Sequence, residues 1–96
     1  MKTMAFSVRC VREQLVREGR VHTVRGYDMR DGWVWVEAVE GGRCKRYKLN
    51  EVFGKEDLRL YVKSSGFDSV EAWWKAIEGF CGGRRKWLYV VVRVGW

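Results

Sequence analysis

The sequence predicts one α+β domain, a small mixed β-barrel with flanking helices in the order β-α-β-β-β-α-α-β. Three observations carry this reading. Short runs of β-branched and aromatic residues recur at 21–25, 33–40, 43–49 and 88–94, several with period-two alternation. Other stretches, 11–18 and 68–80 above all, place apolar residues at helical spacing. The chain has 96 residues, 47% hydrophobic and 15% aromatic with six tryptophans. That is enough for one folded core, 1–96, and too little for two.

The elements follow in order. Ala5 to Arg9 alternates, with Phe6 and Val8 on one face, and reads as a strand. Val11 to Glu18 puts Val11, Leu15 and Val16 on one side of a short helix, and Gly19 stands where a C-terminal glycine belongs. In the strand 21–25, alternation sets Val21, Thr23 and Arg25 against Arg20, His22 and Val24. Gly26 to Gly32 has turn composition.

Trp33 to Glu40 and Arg43 to Leu49 read as a hairpin closed by a two-residue Gly41-Gly42 turn. That turn sets Val34 opposite Leu49, Val36 opposite Tyr47, Glu37 opposite Arg46 and Trp35 opposite Lys48. Val34, Val36 and Leu49 then face the core. Glu37–Arg46 becomes an outward ion pair and Lys48 lies on Trp35. Lys55 to Ser64 reads as a helix through Leu58, Tyr61 and Val62, broken at Gly66. Asp68 is placed to cap the next helix, with Glu71 completing a capping box. Val70, Trp73, Trp74, Ile77 and Phe80 form its core stripe, and Gly82-Gly83 ends it. Leu88 to Val94 is apolar at nearly every position, as a strand covered on both faces must be.

The formal charge of +7 favours anionic partners. Its cations are interleaved with aromatics, as in 43–48 and 84–87, which suits phosphate contacts combined with base stacking. The alternative is a solvated basic face. No apolar run approaches the length of a membrane span, and residues at the N-terminus lack a signal-peptide core, so a cytoplasmic protein is expected. Cys10, Cys44 and Cys81 lack metal-ligand spacing and are expected as small buried hydrophobes, with no metal or cofactor implied. One asparagine and one glutamine beside abundant Val, Arg, Lys and Glu resemble a hyperthermophile composition.

The stretch Gly19 to Tyr27 concentrates the chemistry: two arginines, the sole histidine, a threonine and a tyrosine. Gly19, Thr23 and Arg25 match a Gly-x-Lys-x-x-(Thr/Glu)-x-Arg motif shortened here by one residue, and Gly66, Phe67, Ser69 and Glu71 match a later Gly-Phe-x-Ser-x-Glu motif. In their order and spacing the chain resembles the ASCH domains, relatives of the PUA domains, over essentially its whole length. The resemblance implies a PUA-like barrel, a cleft beside the first motif, and RNA-related function. In some members it implies amidohydrolase or ribonuclease activity. The amidohydrolase-like members use a lysine, a threonine and a glutamate. Here the lysine position holds Val21 or Arg20, and the glutamate position Ser65 or Ser64; only Thr23 is kept. Neither valine nor a permanently charged arginine can act as a base.

Read for RNA binding, Arg20 and Arg25 contact phosphates, and Thr23 and Ser65 hydrogen-bond a base edge or ribose. Tyr27, Trp33 and Trp35 supply stacking surfaces, and Lys45, Arg46 and Lys48 extend a basic track. Each also has a plain role open to it: Arg25 paired with Glu37 or Glu71, Thr23 as a strand former, Tyr27 and Trp33 packed under a loop. Two other functions stay open. One is an enzyme on RNA or a modified nucleoside using Thr23 and His22; the other is a protein-interaction or homodimer module using exposed tryptophans.

Overall fold

The computed structural model describes residues 2–94. Five strands form one mixed sheet: β1 (Lys2–Thr3), β2 (Arg20–Arg25), β3 (Gly32–Trp35), β4 (Arg43–Val52) and β5 (Lys86–Arg93). Helix α1 (Arg9–Glu18) follows β1. A 3-10 helix (Lys55–Ser64) and helix α2 (Val70–Cys81) lie between β4 and β5. The sequence of element types is the expected one, with the first strand at Lys2–Thr3 instead of 5–9 and a 3-10 helix at Lys55–Ser64. The sheet order is β1-β3-β4-β5-β2, with β1 parallel to β3 and the other neighbours antiparallel.

The sheet is open and not closed into a barrel. Closure needs a hydrogen-bonded ladder between the edge strands. The edges are β1 and β2, and β1 is only two residues long. The strand expected at 5–9 is absent: the chain leaves the ladder after Met4, and Arg9 already begins α1. Phe6, Val11 and Leu15 cover one face of the sheet instead, against Val21, Val34, Cys44 and Val91.

The second core lies across the sheet. Leu58 of the 3-10 helix and Val70, Trp73, Ile77 and Cys81 of α2 pack on Leu88 and Val52, with Val24 beside them. Both faces of β5 are covered along much of its length, and it lies between β4 and β2, as its unbroken apolar run requires. Phe67 touches both cores. The α2 stripe is shifted: Cys81 is buried while Phe80 is 60% exposed. Its N-cap is Ser69, whose Oγ accepts from Ala72 N at 3.1 Å, and not Asp68. Gly19 adopts φ 77° and donates its N–H to Leu15 O, closing α1 as expected.

The hairpin differs most from expectation. Val34 pairs with Cys44, not Leu49. Strand β3 ends at Trp35, and residues 36–42 form a loop closed by Val36 N donating to Gly42 O at 2.7 Å. Gly41 and Gly42 do take positive φ, inside this longer loop. The reason is burial. Val36 and Val39 would point to opposite faces of a regular strand, and the loop turns both into the core. The odd shift reverses the faces of β4. Cys44 and Arg46 become buried, while Tyr47 and Leu49 are exposed. Val34 and Val36 keep their core places. The expected Glu37–Arg46 pair and Lys48–Trp35 contact are not formed.

Candidate nucleic-acid interface

The alternation of β2 is as its sequence predicts, and it divides the candidate residues. Thr23 and Arg25 share one face with Val21; Arg20 and His22 share the other. Beyond Arg25 the loop 26–31 carries Tyr27. A side-chain network under this loop holds it in place. Tyr89 Oη accepts from Met29 N at 2.7 Å and donates to Tyr27 O at 2.6 Å. Arg46 donates through Nε and Nη2 to Arg30 O, at 3.2 and 2.6 Å, and through Nη1 to Met29 Sδ. Lys48 bonds Asp28 through its ammonium, and its backbone N–H donates to Asp31. That bond to Asp28 holds the Lys48 pKa above the ordinary lysine value. Burial raises the Tyr89 phenol pKa, so it stays protonated and able to donate. Arg46 and Lys48, expected as a basic track, are instead the posts on which the Tyr27 loop rests.

A cleft of about 260 Å³ opens beside this loop, where β2 meets the segment 5–8 and the end of α2. Thr23, Arg25 and Tyr27 line it, together with Phe6, Phe80 and Arg84. Arg25 donates from Nη2 to Ala5 O at 2.9 Å, and its guanidinium lies 4.8 Å from the Phe6 ring centroid. Arg84 donates to Cys81 O and Phe80 O, fixing its guanidinium at the α2 C-terminus, where helix carbonyls favour a cation. Neither arginine forms an ion pair among the described residues, and no carboxylate lines the cleft. Cleft and cations together suit an anion beside an aromatic ring. A larger groove, about 950 Å³, runs between α1 and the 36–38 loop. Its Arg12 and Arg17 are matched by Glu13 and Glu37, so it presents no one-signed field.

The remaining candidates lie elsewhere. Ser65 is fully buried: its Oγ donates to Val62 O and accepts from Phe67 N, bracing the turn into α2. His22 stacks on Tyr61 with ring centroids 4.8 Å apart, and burial followed by the nearby Arg20 charge lowers its pKa. It stands across the strand from Thr23, so no imidazole reaches that hydroxyl. Arg20 is exposed at the start of β2. Trp33, Trp35 and Lys45 lie on the sheet face opposite Thr23 and Arg25. Sequence reasoning missed Phe80, and marked Arg84 only as part of the basic and aromatic run 84–87. The signal for Arg84 was its place just past a helix end; Phe80 at i+10 of an apolar stripe gave none.

Comparison with protein-family models, curated proteins and solved structures gives no match to this chain. Cys10, Cys44 and Cys81 are free thiols, with Cys44 and Cys81 buried as small hydrophobes. No helix among the described residues is long and apolar enough to cross a membrane.

Proposed function

We propose that the protein binds RNA, with the Thr23–Arg25–Tyr27–Arg84 cleft holding a phosphate and an unpaired or modified base. The observation that carries this is the pair of arginines in a carboxylate-free cleft walled by Phe6, Tyr27 and Phe80. Arg25 and Arg84 take the phosphate, and an aromatic wall stacks the base. Thr23, 7% exposed in the cleft wall, takes the contact to a base edge or ribose on this reading. The net charge of +7 gives long-range attraction to the same partner. On this reading the open sheet is a form of the PUA-like barrel in which the edge strands have parted, and the protein acts in the cytoplasm. Nothing in the cleft lining supplies a histidine or carboxylate beside Thr23, which favours binding over turnover.

The test is titration of a labelled single-stranded RNA at several salt concentrations, wild type against Arg25→Ala and Arg84→Ala. Each variant should weaken binding and flatten the plot of log affinity against log salt by about 0.7 for each phosphate no longer neutralised. Unchanged slopes in both variants would place the RNA elsewhere on the surface.

A further inference from the structure

We propose that the uncovered sheet face at β3 and β4 is a second, separate site: a stacking platform for an unpaired nucleic-acid strand. Helix α2 and the 3-10 helix cover this face over Leu88, Val24 and Val52, and Tyr61 of the 3-10 helix extends that cover onto His22. Beyond them Trp33, Trp35 and Tyr47 stand 40%, 44% and 38% exposed. Aromatic side chains this large are normally driven into a core, and here three share one open surface.

The registers give the layout. Trp33, Lys45, Val92 and Arg20 form one row across four strands, because each pairs directly with the next. Tyr47, Val90 and His22 form the adjacent row, and Trp35 with Arg43 the row on the other side. Directly paired residues point to the same side of a sheet. Strands lie about 4.8 Å apart, so the first row runs roughly 14 Å from Trp33 to Arg20, with half-buried Val92 between the cations Lys45 and Arg20. No position in these rows is a carboxylate. A strand crossing the sheet would meet aromatic surfaces for its bases at one edge and cations along its path. Stacking of this kind tolerates any base, since every base has a π-face.

Two details make the platform a built one. Trp35 lies flat against Gly42: a Cβ there would fall 2.4 Å from its ring. The indole thus has one face on backbone and the other outward. Arg43 and Lys45 lie 4.4 and 5.1 Å from the Trp33 ring centroid, and neither forms an ion pair among the described residues. Arg43 can therefore offer its plane to a base or its N–H groups to a phosphate. The charge also argues against a second copy as occupant. Self-docking would set Arg43, Lys45 and Arg20 of two like-charged chains of +7 against each other.

The site does not depend on the cleft, and the experiment separates them. A labelled eight-nucleotide oligo-U, its deoxy counterpart and a blunt duplex are titrated by fluorescence anisotropy against wild type, Trp35→Leu, Tyr47→Ala and Arg25→Ala. A parallel titration uses a nucleoside monophosphate, which occupies the cleft alone. Trp35→Leu and Tyr47→Ala should each weaken single strands, RNA and DNA alike, by about five- to a hundred-fold. They should leave the affinities for the duplex and the monophosphate unchanged. Arg25→Ala should act on the monophosphate. Single-strand affinity unchanged in both aromatic variants, with both still folded, overturns the platform. So does a wild-type dimer in sedimentation equilibrium that Trp35→Leu dissociates, which would give this face to a second copy.

Discussion

Replacing Gly66 with alanine drives a methyl group into the backbone of α1. Gly66 has φ +90°, and a Cβ there would lie 2.4 Å from Cys10 O, 2.8 Å from Cys10 C and 3.0 Å from Val11 Cα. Ordinary contact begins near 3.4 Å, so the two segments must part by about 1 Å. All three obstructing atoms are main chain, and no rotamer change relieves them. A left-handed conformation costs an alanine about 1–2 kcal/mol, and overpacking about 1–3 kcal/mol. The expected loss is roughly 2–5 kcal/mol, on the order of 10–30 °C in Tm for a domain this size. Gly79→Ala is the control. Gly79 lies within α2 with nothing inside 4 Å of its added Cβ. Alanine there should stabilise by roughly 0.5–1 kcal/mol. Thermal and urea unfolding of both variants measure the difference. A Gly66→Ala protein within about 0.5 kcal/mol of wild type would refute the close packing of this turn on α1. The same displacement would move Val8 and Val11, which line the cleft, so RNA affinity should fall in the folded fraction of Gly66→Ala.

Two further outcomes follow from the groups under the Tyr27 loop and from the half-buried histidine. Tyr89→Phe removes both hydrogen bonds to the Tyr27–Met29 backbone. It should cost about 1–3 kcal/mol and raise amide exchange at residues 27–31 more than elsewhere; uniform exchange would show that Tyr89 does not hold the loop. The His22 pKa lies below the ordinary histidine value of 6.5, so the unfolded chain binds its proton first as pH falls. Stability should therefore decline as pH drops through 6.5 toward the lower folded value. His22→Phe, which keeps a ring on Tyr61, should flatten Tm between about pH 7 and 5, and equal slopes in the two proteins would contradict this.

Much of the fold was legible because it rests on local patterns. Gly19 had to end α1 because only its backbone readily takes φ 77°. The alternation of Val21 and Thr23 fixed which face of β2 is buried. The run 88–94 could only be a strand covered on both sides. Within the candidate site, Thr23, Arg25 and Tyr27 were legible as neighbours, since strand periodicity and a following loop set their common side.

The pairing of β3 with β4 was not legible. A glycine pair favours a tight turn locally, yet two valines at odd separation gained more by entering the core through a longer loop. That one decision shifted the register by an odd step. It sent Arg46 inward to the loop beneath Tyr27 and turned Tyr47 outward beside Trp33. The roles of Phe80 and Arg84 are also tertiary. They become cleft residues only because the end of α2 is set down beside β2. Sequence alone determined most of the elements, the sequence of their types and the basic, aromatic character of the chain, for these follow from near-neighbour periodicity and composition. Tertiary structure decided which cations line the cleft and which hold a loop, because the competition for core volume between distant strands decides which side chains stay outside.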